Sequence, residues 1–332
     1  DLLVANTDSQ ALENSLAKTK ILLGEKTAKT LGAGMDPTVG KDSAEESFDI
    51  LKDALEYSDI VFVASGLGGG TGTGASPVVA RAAKENKALT IGVVTTPFKF
   101  EGKKRATLAQ AGINELKKEC DSILVIPNQK LLSLIDKKAG IKESFKMVDD
   151  VLARAVGGMS SIILDSGDSD INLDFADVKK IMSHRGLALM GVGASEGEDA
   201  PKEAIQDAIQ SPLLDDMSIN GAMGVLIHFK IHPDCSLLEI SEAVSLVEEA
   251  AHDNADIIFG TTTDASIENN RVEVTLIATG FEETSEKKED DSQKDSLDEA
   301  KVISRRQINQ RVSGSDIDLK DIYDNLDEPT YL

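Results

Sequence analysis

Ile60-Val61-Phe62-Val63-Ala64, then the run Gly68-Gly69-Gly70-Thr71-Gly72-Thr73-Gly74, then a helix-like stretch from Ala75 to Asn86 is the segment on which the fold turns. Five glycines and two hydroxyls stand between an apolar strand and an amphipathic helix, with no side chain larger than threonine. Glycine admits the positive φ angles that turn successive N–H groups inward, and bare backbone lets an anion approach closely. The following helix adds the positive end of its dipole. The pattern predicts a cradle for a polyphosphate.

Outward from this cradle, residues 1–141 alternate short apolar runs with amphipathic stretches. Strands are expected at Leu2–Ala5, Ile60–Ala64, Leu89–Thr95 and Ser122–Pro127, with a shorter one near Lys20–Leu23. Helices are expected at about 44–57, 75–86 and 102–119. Such alternation predicts a doubly wound parallel sheet, an α/β fold whose ligands sit at the carboxyl ends of the strands. Phe145, Val148, Leu152, Ala155, Met159 and Ile162 recur at three- and four-residue steps, so a long central helix is expected over 142–165. Residues 166–281 read as a second, α+β domain with a mixed sheet. Its strands are expected near 187–192, 223–230, 256–262 and 272–279, some joined by turns such as Glu268-Asn269-Asn270.

From residue 282 the chain carries 15 acidic against 8 basic residues and loses aliphatic periodicity, which predicts a disordered acidic linker over 282–315. Ile317, Leu319, Ile322, Leu326, Tyr331 and Leu332 restore apolar spacing over 316–332, as expected of a tail peptide that docks on a partner.

The net charge of −23 argues against nucleic acid or an anionic membrane surface as a direct partner. Two distant cysteines, Cys120 and Cys235, predict neither a zinc site nor a disulfide framework and fit a reducing, cytoplasmic setting. No run of 18 apolar residues occurs, so membrane insertion is not expected. The chain opens at Asp1 inside what reads as a strand, and a missing first segment is expected. Four scattered histidines (His184, His228, His232, His252) read as ordinary residues rather than ligands. Gly193-Ala194-Ser195-Glu196-Gly197 has the spacing of a nucleophile elbow, but the next helix is expected only near Pro201, too late for a sharp turn. Walker A is absent, and the dinucleotide fingerprint forced on Gly70, Gly72 and Ala75 lacks an acidic residue after the next strand.

The heptapeptide Gly68–Gly74 resembles the tubulin/FtsZ signature GGGTG[ST]G, and further segments follow in that family's order. Asn6-Thr7-Asp8 resembles its second nucleotide loop and Gly32-Ala33-Gly34-Met35-Asp36-Pro37 its third. Pro97 to Arg105 resembles the sugar-contacting loop, and Pro127-Asn128-Gln129-Lys130-Leu131-Leu132 the next. Asn172-Leu173-Asp174-Phe175-Ala176-Asp177 matches the NxDxxD of the catalytic loop. The likeness covers about 1–281, is closer to the bacterial FtsZ branch than to tubulin, and extends to the DEPTYL ending. Three departures stand out. The family's first glycine-rich loop would lie upstream of Asp1, Asp36 stands where asparagine is common, and no basic residues follow Leu332.

The resemblance implies a GTPase that polymerises head to tail, binds GTP or GDP with Mg2+ carried by the nucleotide, and works in cell division at a mid-cell ring. Nucleotide contacts would come from Gly34, Gly68, Gly69, Gly70, Thr71, Gly72, Thr73, Glu101, Arg105, Asn128, Phe145 and Asp149. Asp149, an acceptor-only carboxylate, suits the ring N–H and amino group of guanine. Phe145, one turn earlier, suits stacking on the base. Asn172, Asp174 and Asp177 would form the catalytic loop. The long helix separates that loop from the base by roughly 30 Å, so it would act on the GTP of the next subunit. The tail would hold division proteins and membrane tethers. Two other readings remain open at this point: a GTP-binding scaffold without hydrolysis, which loss of the first loop would favour, and a nucleotide-dependent oxidoreductase.

Overall fold

The computed structural model describes residues 1–132, 140–164, 171, 175–183, 186–214, 219–252, 254–267 and 271–281. Residues 1–282 form one compact unit. The acidic linker, the tail peptide and the turn at 268–270 lie outside the described residues, as do Asn172 and Asp174.

In chain order the elements are β1 (Leu3–Asn6), α1 (Ser9–Glu13), β2 (Thr19–Leu22), α2 (Pro37–Glu46), α3 (Phe48–Ala54), β3 (Ile60–Gly66), α4 (Thr71–Glu85), β4 (Leu89–Thr96), α5 (Lys103–Glu119), β5 (Ser122–Pro127) and α6 (Asn128–Leu131). Then come α7 (Ile141–Leu164), α8 (Phe175–Met182), β6 (Gly186–Glu196), α9 (Ala200–Ile209), β7 (Gly224–Ile231), α10 (Leu237–Ala250), β8 (Asp256–Thr263) and β9 (Arg271–Thr279). β1 and β2 pair in parallel as a separate two-stranded sheet. The other strands form one seven-stranded sheet in the order β3-β4-β5-β6-β9-β7-β8.

β3 through β6 run parallel, and so do β7 and β8, while β9 lies antiparallel between β6 and β7. The expected mixed sheet therefore continues the parallel one. The join is short, three residue pairs from Ser122–Gly186 to Leu124–Ala188.

Strand period assigns each face its core. In β4, Leu89, Ile91 and Val93 face α7, and Val94 faces the α4–α5 side. In β9, Ile277 faces α7 while Val272, Val274, Leu276 and Ala278 join the core with α9 and α10. With both faces covered, β4 has no polar alternation to show. Along α7, Val148, Val151, Ala155 and Met159 fall on one buried stripe. That stripe packs in one cluster with β4 and β5 on one side of the join and with Met190, Leu226 and Ile277 on the other. At 24 residues α7 is a rod of about 36 Å that crosses both parts of the sheet.

Two helix starts differ from expectation. Instead of one helix over 44–57, α2 begins at Pro37, with the Asp36 side chain capping it by accepting Thr38 N–H at 2.9 Å. It ends at Ser47, whose hydroxyl accepts the Gly24 N–H. α4 begins at Thr71, inside the glycine run, four residues earlier than helix propensity suggests. The reason is close packing. A Cβ on Gly74 would lie 2.0 Å from Pro37 O, one on Gly70 2.7 Å from Ala33 Cβ, and one on Gly40 2.2 Å from Gly70 O. α2 and α4 meet backbone to backbone, and glycine is the residue that permits it. Ser195 lies within β6, with its hydroxyl donated to Glu203, so the Gly193–Gly197 match is no elbow.

Candidate functional site: a glycine-rich loop and its flanking segments

β3 gives way to the loop as Leu67 N–H extends the ladder to Thr95 O. Gly68 then turns at φ +103°, where a Cβ would also lie 3.0 Å from Arg105 O. The Gly68 N–H donates to Thr73 Oγ1 at 2.8 Å, so the buried Thr73 hydroxyl closes the loop on itself. Gly72 is required by Gly66 O, 2.2 Å from where its Cβ would stand. Gly69 differs from the rest: its φ is not positive, and an added Cβ would meet nothing within 4 Å. Helix α4 starts beyond Gly70 with no side-chain cap on its first N–H groups, which leaves those donors to a ligand or water.

Three other segments converge on this loop. Just after β1, Thr7 is fully buried and its hydroxyl lies 2.6 Å from Thr71 Oγ1. The Thr7 carbonyl accepts the Gly32 N–H, which ties in the third segment, where Gly34 (φ +54°) also has open space around its missing Cβ. Met35 beside it holds a left-handed φ of +66°, unusual for a side chain of that size. Asp36, one residue on, has its carboxylate engaged as the α2 cap.

The segment after β4 is organised by Glu101. One of its carboxylate oxygens accepts Phe98 N–H at 3.0 Å and the other accepts Arg105 Nη1 at 2.7 Å. Lys99 N–H donates to Gln129 Oε1, joining this segment to α6 and to Asn128 beside it. Phe98 is buried and carries two rings, Phe100 stacked at 5.0 Å and Phe145 edge-on at 5.7 Å. Phe145 remains 45% exposed, and Asp149 is exposed one turn further along α7. Asn128 is only 7% exposed, yet its Oδ1 has no hydrogen-bond partner among the described residues. A buried amide oxygen without a donor costs about 1–3 kcal/mol, which a ligand donor would recover.

A continuous set of contacts thus links Gly34, the glycine run, Glu101, Arg105, Asn128 and Phe145. Asp177 is not part of it. It lies on α8 and lines a cleft of about 400 Å³ with Ile171, Lys180, Asp256 and Ile257 to Phe259. Ile171 is pinned to β8 through its N–H to Thr261 Oγ1 and its O from Thr261 N–H, and Lys180 pairs with Asp256 at 2.7 Å. β8 is the far edge of the sheet from β3, six strand spacings away, or about 29 Å along the sheet.

Thr7, Phe98 and Gln129 are absent from the residues expected as contacts. Each lies inside a segment singled out in the sequence, but its role comes from a partner about 30 or more positions away.

Residues 1–136 match the tubulin/FtsZ family, GTPase domain, and residues 186–282 match the FtsZ family, C-terminal domain. The chain is 48% identical over 283 residues to the cell division protein FtsZ of Helicobacter pylori, covering 85% of this chain and 73% of that protein. Among solved structures it is similar to the empty FtsZ dimer of M. jannaschii (45% identity, TM-score 0.80, 84% of this chain and 80% of that one). A likeness in fold alone reaches the GTPγS-bound protofilament of CetZ2 from Haloferax volcanii (20% identity, TM-score 0.72, 91% and 90% covered).

Proposed function

The chain belongs to the tubulin/FtsZ family, on its FtsZ side, as a GTP-binding, polymerising cytoskeletal GTPase of cell division, and we propose how its own residues divide that work. The observation that carries the reading is the buried Asn128 Oδ1 just past the end of β5, unpartnered among the described residues, together with the uncapped start of α4 beyond β3. One supplies an acceptor for a purine edge, the other N–H donors for phosphates.

In this arrangement the phosphates lie along Gly68 to Thr71, where the absent side chain of Gly69 makes room. Gly72 and Thr73 shape the loop from behind. The third loop, at Gly34, closes over the phosphates. The loop offers N–H and hydroxyl groups and no carboxylate, a donor set that fits phosphate oxygens with Mg2+ carried on them. Arg105 and Glu101, already paired, present a charged edge to the sugar; a carboxylate oxygen retains a lone pair for a hydroxyl while it accepts from Arg105. Phe145, backed by Phe98, offers a ring face to the base, and Asp149 accepts from guanine's ring N–H and amino group.

Hydrolysis is the attack of water on the terminal phosphate, giving GDP and inorganic phosphate. Asp177, with Asn172 and Asp174 of the same sequence motif, orients and polarises that water. Because Asp177 lies at the other sheet edge, the nucleotide it serves belongs to the next subunit. A heterologous contact of this kind repeats into a filament. The M. jannaschii relative is recorded as a dimer, which agrees with self-association. The filament would act at the division ring, with residues 316–332 docking division proteins and membrane tethers.

The test is GTPase rate against protein concentration, with sedimentation in parallel. Specific activity is expected to rise steeply through the concentration at which pelletable polymer appears. A rate per subunit that stays constant on dilution through that range overturns the shared site.

A further inference from the structure

We propose that Thr7 is a positioning residue that sets the proton of the Thr71 hydroxyl, so that Thr71 faces the nucleotide phosphates as a donor. The inference rests on the reading of the glycine-rich loop as the phosphate site. The two oxygens are 2.6 Å apart, across 64 residues of sequence. Thr7 is completely buried, and Thr71 Oγ1 is the one side-chain partner of its hydroxyl among the described residues.

Two hydroxyls that share one hydrogen bond have two protons, so one proton is left over. If Thr71 donated to Thr7, the leftover proton would sit on the buried oxygen with no acceptor, at the cost of an unmade bond in a dry environment. If Thr7 donates to Thr71, the leftover proton sits on Thr71, which is half-buried at the first position of α4 beside the uncapped N–H groups. The second arrangement spends every donor. It also places two hydroxyls in series, each polarising the next toward an anion.

The position of Thr7 is itself held from both sides. Its carbonyl accepts the Gly32 N–H at 3.1 Å, and the neighbouring Asp8 caps α1 by accepting from Gln10 and Ala11. The side chain is β-branched and fully buried, which leaves few χ1 alternatives for the hydroxyl. Thr7 thereby connects the second and third loops to the glycine-rich one through a single residue that does not touch ligand.

The test is a double-mutant cycle on the whole chain, with Thr7→Val, Thr71→Val and the double variant, plus Thr7→Ser as the conservative replacement. Affinity for a fluorescent GTP analogue is measured by titration, and urea midpoints without nucleotide are measured alongside. Thr7→Val keeps the shape and removes the proton; it is expected to weaken binding roughly fivefold, the size of one neutral hydrogen bond. Thr7→Ser is expected to bind within about twofold of wild type, because it keeps the hydroxyl. In the double variant, Thr7→Val is expected to add no loss beyond that of Thr71→Val.

Normal binding by Thr7→Val while Thr71→Val is impaired overturns the role of Thr7 and leaves the phosphate site intact. So does a Thr7→Ser variant as weak as Thr7→Val, or a double variant whose losses simply add. Should Thr71→Val itself bind as wild type, the phosphate reading at this loop falls, and the Thr7 proposal with it.

Discussion

Alanine at Gly69 and alanine at Gly74 are predicted to fail for different reasons, although the two lie five positions apart in one motif. By propensity alone Gly74→Ala should stabilise α4 by about 1 kcal/mol. The structure argues otherwise: the new Cβ would stand 2.0 Å from Pro37 O and 2.6 Å from Lys41 N. Both are backbone atoms of α2, so no side chain can rotate out of the way, and the helix must retreat by roughly 1.4 Å to restore ordinary contact. Overpacking of this kind costs about 1–3 kcal/mol. Because the clash is with backbone on two sides the upper end applies, and set against the propensity gain the net loss is about 2 kcal/mol, or roughly 3–4 °C in Tm for a unit of this size. Gly69→Ala meets no atom within 4 Å and keeps an allowed φ, so its nucleotide-free stability should stay within about 0.5 kcal/mol of wild type. Its methyl group, however, occupies the space assigned to phosphate, and guanine-nucleotide affinity should drop about tenfold or more, a change of ~1.4 kcal/mol. The assay pairs nucleotide-free thermal or urea unfolding with titration of a fluorescent nucleotide. A Gly69→Ala protein that binds normally, or a Gly74→Ala protein as stable as wild type, refutes this division of the motif into ligand-facing and helix-packing glycines.

Asp177→Ala is expected to leave nucleotide affinity unchanged and to lower kcat by about 10²–10⁴. Mixed with subunits whose loop carries Gly69→Ala but whose Asp177 is intact, it should recover part of the activity, and no recovery at any ratio argues for a site within one subunit. Burial pushes the Cys120 thiol up to about 12, while Cys235 is raised less and is partly exposed. Iodoacetamide at pH 8 should therefore label Cys235 at least about tenfold faster than Cys120 in the folded protein, as mass spectrometry would read, and equal labelling would contradict this packing. Asp264, after β8, is held well below the usual carboxylate range, first by the Ser266 hydroxyl and then by Lys230. A depressed folded pKa stabilises above the unfolded value of about 3.9 and loses that effect as pH falls toward the folded one. Asp264→Asn should accordingly show a lower urea midpoint than wild type at pH 7, with the gap narrowing below about pH 4; a gap that widens in acid would reverse the sign.

Strands β3, β4, β5 and the stripe of α7 are legible in the sequence because burial writes them as apolar runs with a clear period. β5 runs from Ser122 to Pro127, where those apolar residues sit. The start of α4 is not legible, because glycine signals a loop in any propensity scale, and only the approach of Pro37 and Ala33 shows why a helix is built from it. Continuity between the two parts of the sheet is also hidden. It depends on three residue pairs between Ser122–Leu124 and Gly186–Ala188, about 60 positions apart, and nothing local announces a partner. Of the candidate site, the segments can be read in order along the chain, and the structure gathers all but the one bearing Asp177. What cannot be read is the assignment within each segment. The sequence shows seven small residues, and the fold separates Gly69, which faces open space, from Gly70, Gly72 and Gly74, which face backbone.

That separation bears on how the site would respond to its ligand. Gly34 lies two residues before the Asp36 cap of α2, and Thr71 opens α4, so each loop is the leading end of a helix. The two helices touch through Gly40, Gly70 and Gly74 with no side chain between them. Backbone contacts of this kind do not slide or repack as side chains do. A ligand that draws the third loop toward the phosphates must therefore move α2 and α4 together, or strain the glycine contact. Gly74→Ala tests this in a second way. By forcing α2 away it should displace the third loop as well, and so weaken nucleotide binding from a position that touches no ligand. A Gly74→Ala protein that loses stability but binds nucleotide at full strength would show that the loops move independently of the helices they begin.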